Sequence, residues 1–305
     1  MQDATRFLEI INCTSDAKIR MGFVDSVIVD NLQVLAIFNH HDDLVAAAHC
    51  NLGRCALHRH EFERAEREFR TGLSINERID RQQGIASCCG NLGLVEMYRG
   101  RFEIARSWIR RSVEIERRLG REHGIADDLG NLGIIEFELG FLEDAEASQQ
   151  ECLEINERLG RLASVSIACR NLGHIALARD DPDVAERRYQ RGLAIAEQIG
   201  DRGGTASCHV SLGNLAIQRG EKVKARERWE KARELYAKLG TQHMVKQVEG
   251  WLEGLEGLEG LEGLEGLEED DSENTRSIPP HLSLRGILSR TPGGRGVRSA
   301  PMRVR

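Results

Sequence analysis

At 305 residues with 40% apolar side chains the chain can bury a sizeable core, and with only 5% aromatics that core is expected to consist mainly of Leu, Ile, Val and Ala. The formal charge of −7 is unevenly placed: residues 274–305 hold seven Arg and no acid, so residues 1–273 carry 35 basic against 49 acidic groups, a balance of −14 that argues against general nucleic-acid binding. The eight cysteines follow no disulfide framework, the start MQDATRFLEIINCTSD lacks a basic stretch leading into an apolar one, and no apolar run reaches the length of a membrane span, so a cytoplasmic protein with reduced thiols is expected.

In chain order, residues 1–43 read as a degenerate capping repeat, with ATRFLEIINC as an incomplete first helix and FVDSVIVDNLQVLAIF, 23–38, as its partner. Residues 44–240 read as five units of 40 residues. Asn-Leu-Gly stands at 51, 91, 131 and 171 and returns as Ser-Leu-Gly at 211. Ala65, Ala105, Ala145, Ala185 and Ala225 share one register, and Gly72, Ser112, Cys152, Gly192 and Ala232 share another. The apolar column Ile75, Ile115, Ile155, Ile195 and Leu235 holds throughout, whereas Leu73, Val113, Leu153 and Leu193 give way at Arg233. Small residues at fixed places let helix axes approach, and large ones between them fill the space. Each unit therefore predicts two helices; in the second these fall at roughly 84–98 and 102–119, closed by Gly100 and Gly120. In the fourth, Asp181 and Pro182 form a cap and first helical residue. The expected fold class is all-α, a right-handed superhelical solenoid of antiparallel helix pairs, because one pair alone has too little surface to bury its apolar face.

Beyond the repeats, residues 241–273 combine a helix in capping register with the acidic tract GWLEGLEGLEGLEGLEGLEED, and the Gly at every third position predicts a weak, fraying helix rather than a collagen-like strand. Residues 274–305, rich in Pro, Gly, Ser and Arg, lack any core-forming period and are expected to be disordered.

The Leu92-Gly93, Ala105 and Ser112 pattern and its equivalents make the chain similar to tetratricopeptide repeat proteins, of the long-unit type resembling the arrays of G-protein-signalling modulators and, more loosely, kinesin light chains. The family's large aromatic near the start of the first helix is replaced here by His49, Cys89, Leu129, Cys169 and His209. The resemblance implies a protein-protein interaction scaffold whose concave face receives an extended peptide or partner segment, and it places Asn51, Asn91, Asn131 and Asn171 against the ligand's main chain, with Ser211 as a departure. An Asn offers both donor and acceptor; the same residue could equally bond a neighbouring helix and fix packing. Selectivity is then expected from residues one turn either side: Arg54, His58, Tyr98, Asp127, Glu138, Arg170, His174, Asn214 and Gln218, joined by Ser87 and Leu94, which favours a peptide of mixed charge. The alternative is a self-associating structural module using the Leu-Glu-Gly tract or the Arg-rich tail.

Catalysis is not expected. The sequence has no zinc-helix, nucleophile-elbow or phosphate-loop motif, and no Cys pair at two-residue spacing. His40, His41, Asp42 and Asp43, with His58 and His60 nearby, are the right residue types for a metal but lie adjacent on a loop, so no metal or cofactor is assigned. The cysteines read as small core residues.

Overall fold

The computed structural model describes residues 27, 30, 31 and 41–265, with side chains to Leu255; the expectations for the N-terminal cap, 1–43, the acidic stretch 266–273 and the basic tail, 274–305, fall largely or wholly outside the described residues. Among those residues every regular element is an α-helix: α1 (Asp42–His58), α2 (Phe62–Arg78), α3 (Gln82–Tyr98), α4 (Phe102–Arg118), α5 (Glu122–Glu138), α6 (Leu142–Arg158), α7 (Leu162–Ala178), α8 (Pro182–Gln198), α9 (Arg202–Gln218), α10 (Lys222–Lys238) and α11 (Gln242–Glu265). The chain divides into two compact units, Met1–Ile155 and Asn156–Arg305. In each, consecutive helices pack as antiparallel pairs, and the pairs stack on one another. The first helix of each pair, called A below, carries the Leu-Gly signature, and the second is called B. The Leu-Glu-Gly tract continues α11 as far as Glu265.

The packing follows the registers of the sequence. Every Ala of the column at 65, 105, 145, 185 and 225, on the B helices, is fully buried, 0% exposed. The signature glycine has a specific reason. A Cβ added at Gly53 would lie 2.6 Å from the Phe69 ring, at Gly93 2.5 Å from Ile109, at Gly133 2.6 Å from Gln149 and at Gly213 2.5 Å from Trp229, and at Gly173 it would strike the Tyr189 ring. One bare backbone position on each A helix thus seats one large side chain from its B helix, sixteen residues on. The identity of that side chain changes from unit to unit, but the seat does not.

The corners between helices need a left-handed residue. Gly100, Gly120, Gly140, Gly160, Gly200, Gly220 and Gly240 supply it with φ between 66° and 81°, and the same corner is taken by His60, Asp80 and Asp180 at φ 60°, 51° and 62°. Glycine adopts this region without the steric cost a Cβ brings. Asp80→Gly and Asp180→Gly are therefore each expected to stabilise their unit by about 0.5–1 kcal/mol, read as a raised melting temperature. Asp181 Oδ1 accepts from the Val184 N–H at 3.0 Å and Pro182 opens α8, as the sequence predicts for that corner.

Arg-carboxylate pairs link neighbouring B helices across the surface, including Arg111 to Glu77 at 2.7 Å, Arg117 to Glu151 at 2.6 Å and Arg191 to Glu157. Such exposed pairs contribute little individually and chiefly keep the stack in register.

Candidate functional site

In the first unit, the A helices α1, α3 and α5 form the walls of a groove of about 550 Å³. Asn51 and Arg54 come from α1, Ser87, Asn91 and Leu94 from α3, and Asp127, Asp128 and Asn131 from α5. B helices contribute its floor through Asn76, Ser112 and Glu116, and the corners add Arg81 and Arg121. Two glycines admit the floor residues: a Cβ at Gly84 or at Gly124 would collide with the side chains of Asn76 and Glu116 respectively. The structure thereby brings Asn51, Arg54, Ser87, Asn91, Leu94, Asp127 and Asn131, seven of the residues singled out in the sequence, into one concavity.

The three asparagines differ in what they offer. Asn51 is buried; its Nδ2 donates to Asn31 Oδ1 at 3.1 Å, and its Oδ1 accepts from Arg54 at 3.3 Å. Asn91 is half-buried, lines the groove and donates from Nδ2 to the Ser87 carbonyl at 2.8 Å, within its own helix. Asn131 is half-buried on the α5 wall of the groove.

The charge in the groove is graded. At the α1 side stand Arg54 and Arg81, beside a pair of thiols with Cys50 Sγ 3.0 Å from Cys88 Sγ. The hydrogen bond from Cys88 holds the Cys50 thiol below the usual cysteine range, helped by Arg54 and Arg81, while that same bond and burial push Cys88 up. At the α5 side stand Asp127, Asp128 and Glu116. Burial raises Asp128 to about 7, reinforced by Glu116 and Asp127 and opposed by a bond to Ser112 and by the Arg121 charge. Burial likewise raises Glu116, against the pull of Arg121, 3.2 Å away.

A second cavity of about 530 Å³ in the same unit is lined from α4, α5 and α6. Its charges are already matched to one another, with Arg110 on Glu136 at 2.9 Å and Arg117 on Glu151 at 2.6 Å. It therefore offers a ligand less than the A-helix groove does.

The remaining sequence candidates are placed as follows. Tyr98 stacks on Phe62 with centroids 6.3 Å apart, and His58 is exposed at the end of α1; neither lines the groove. Glu138, half-buried at the end of α5, also lies outside it. In the second unit Arg170, Asn171, His174 and Asn214 are all buried, and Gln218 is exposed. His174 Nδ1 bonds the Tyr189 hydroxyl at 2.7 Å, and Asn214 Oδ1 accepts from Trp229 Nε1 at 3.1 Å. These are equivalent positions one unit apart, each satisfying the polar atom of the large side chain seated on the signature glycine. Sequence reasoning missed Asn76, Arg81, Glu116, Arg121 and Asp128 as groove residues. The signal available for two of them was Gly84 and Gly124, which mark where B-helix side chains break through. Among the described residues no group of three or more His, Cys, Asp or Glu could hold a metal ion, and no helix is long and apolar enough to cross a membrane.

With fold and groove in view, the sequence matches the family model described as the MalT-like TPR region over residues 52–249. The chain belongs to this family. The match covers the Leu-Gly pairs from the first repeat to the last and enters α11. Curated proteins gave no match to the sequence. Among solved structures, BtubC (BKLC) from P. vanneervenii is similar at a TM-score of 0.62 and 21% identity, over 71% of this chain and 92% of that one. A Rap protein complexed with competence and sporulation factor is similar at 0.60 and 13% identity, over 85% and 90%. A putative kinesin light chain of Podosopora anserina with nearly identical TPR-like repeats gives 0.54 and 15%, over 63% and 95%. At these identities the likeness is one of fold.

Proposed function

We propose that this MalT-like TPR chain is a protein-interaction scaffold, and that the A-helix groove of its first unit holds an extended peptide or partner segment of mixed charge. The observation that carries the reading is the convergence of Asn91 and Asn131 with Arg54 and Arg81 at one side and Asp127 and Asp128 at the other, in a single groove of about 550 Å³. Amide side chains at repeat spacing can bond a ligand's main chain without regard to its sequence, and the flanking charges add direction, since an acidic residue suits the α1 side and a basic one the α5 side. The Rap array of matching fold was solved in complex with a factor, which supports binding as a use for this architecture.

The test is a double substitution, Asn91→Ala with Asn131→Ala, measured against peptides selected from a mixed-charge display library on the parent protein. Each lost hydrogen bond between neutral groups is worth about 0.5–1.5 kcal/mol, so affinity is expected to fall about tenfold or more. Melting temperature is expected to stay within about 2 °C of the parent, because Asn91 bonds only its own helix and both side chains are half-exposed. A large drop in melting temperature with affinity retained in the folded fraction would make these asparagines packing residues and remove them from the site.

A further inference from the structure

Arg170, on α7 in the second unit, is 5% exposed. Among the described residues no acceptor or carboxylate pairs with its guanidinium. The groups within its electrostatic reach are His174, Tyr189, Cys208 and Tyr236, none of which carries negative charge at neutral pH. His174 is held neutral, its pKa lowered to about 3 by burial first and by the Arg170 charge second. Nearby acids are engaged elsewhere: Asp201 caps α9 through the Gly204 N–H at 3.0 Å, and Glu157 pairs with Arg191. A buried cation without a counter-ion is among the costliest arrangements a fold can keep, and its ordinary resolution is a partner of opposite charge.

The sealed, unpartnered side-chain atoms of the fold include Asn76 Oδ1, Glu116 Oε2 and Asn214 Nδ2 but no nitrogen of Arg170. Its guanidinium nitrogens are therefore not wholly sealed, although the residue is 5% exposed. The hydroxyls of Ser207 and Tyr236 lie 3.2 Å apart and are engaged, Ser207 donating to the Gly203 carbonyl at 2.9 Å, so the guanidinium itself supplies the donors. A planar fork of N–H donors suits an oxyanion, which accepts from several donors at once.

We infer that Arg170 is the receptor for an oxyanion, a carboxylate or phosphate group presented by the scaffold's ligand, and that the second unit binds this group in place of the missing counter-ion. The inference extends the interaction reading to the second unit. It assigns His174 a supporting role, orienting the wall through Tyr189, rather than contact with the ligand.

The experiment uses the full chain and needs no peptide, so its outcome is separate from that of the Asn91 and Asn131 test. Melting temperature is followed while sodium chloride is exchanged for sodium phosphate or sodium acetate at constant ionic strength and pH 7. A saturable rise of about 2–4 °C is expected in the parent, since a ligand that binds only the folded state stabilises it. A response to phosphate alone identifies the phosphate source, to acetate alone the carboxylate, and to both a general oxyanion site; each supports the inference. Arg170→Met is expected to melt at or above the parent in chloride, because it removes an uncompensated buried charge, and to lose the saturable response. Arg170→Gln serves where the methionine variant fails to fold. The inference is overturned if neither salt gives a saturable rise in the parent, if a folded variant responds as the parent does, or if both variants melt well below the parent in chloride.

Discussion

Gly213→Ala is expected to destabilise the second unit by about 2–3 kcal/mol, although alanine is the better helix former and the position lies inside α9. The added methyl would stand 2.5 Å from Trp229 Cδ1 and 2.6 Å from its Nε1. That ring cannot give way, being 1% exposed, packed against Trp251 at a centroid distance of 5.6 Å and tethered to Asn214 by its indole N–H. A contrast inside one motif separates this steric account from any general intolerance of alanine. In Gly130-Asn131-Leu132-Gly133, a Cβ at Gly130 would meet only Cys152 Sγ at 3.4 Å, an ordinary contact. A Cβ at Gly133 would press on Gln149 Cγ at 2.6 Å and disturb the bond from Gln149 Nε2 to the Gly130 carbonyl at 2.7 Å. Gly130→Ala is thus expected to stabilise by about 0.5–1 kcal/mol through helix propensity, and Gly133→Ala to destabilise. Chemical denaturation of the three variants checks the ordering. Equal effects at 130 and 133 would refute the idea that the signature glycine is a seat for the B-helix side chain.

That seat also shows how much of the molecule was legible in the sequence. The glycine recurs at 53, 93, 133, 173 and 213 and so declares itself as a column, and with the Ala column it is sufficient to read paired helices and their corners. Its partner column, Phe69, Ile109, Gln149, Tyr189 and Trp229, mixes aromatic, aliphatic and amide residues, so sequence periodicity alone does not single it out. The consequence for the site is direct. His174 and Asn214 stand one residue after the signature glycine and read as groove residues, but their partners Tyr189 and Trp229 sit fifteen positions away on the B helix and draw their polar atoms inward. The left-handed corners at His60, Asp80 and Asp180 were hidden for a similar reason, since a residue that tolerates the conformation need not be the one that advertises it. Asn91 and Asn131 line the groove as half-buried residues, and Asn91 bonds only within its own helix, so no seated B-helix side chain draws its amide inward.

Asp128→Asn is expected to raise the stability of the first unit by up to about 4 kcal/mol above pH 7 and to change it little near pH 4. Asp128 is 9% exposed on the groove wall, where a Cβ at Gly90 would lie 2.9 Å from its Oδ1, and burial holds its carboxyl protonated up to about 7. An unfolded Asp titrates near about 3.9. Below about pH 4 both states carry the proton, and the side chain imposes no penalty. Between about 4 and 7 unfolding releases that proton, so stability falls by about 1.4 kcal/mol for each pH unit as pH rises. Above about 7 both states are ionised and the loss is complete. His174 and His209, lowered by burial to about 3 and about 4, act in the opposite direction: their contribution is full above about 6.5, the unfolded value, and is lost as pH falls toward the folded values. Their effect is common to parent and variant and cancels in the difference. The measurement is the stability difference between Asp128→Asn and the parent from pH 4 to pH 8, and a difference that stays flat across that range would sink the assignment. The same titration bears on binding. A basic ligand residue at the α5 side of the groove gains an ionised Asp128 only as pH passes about 7, and by linkage its arrival draws the carboxyl's pKa down. Peptides selected for a basic residue at that end are therefore expected to bind the parent more tightly at pH 8 than at pH 6, and Asp128→Asn to remove that dependence.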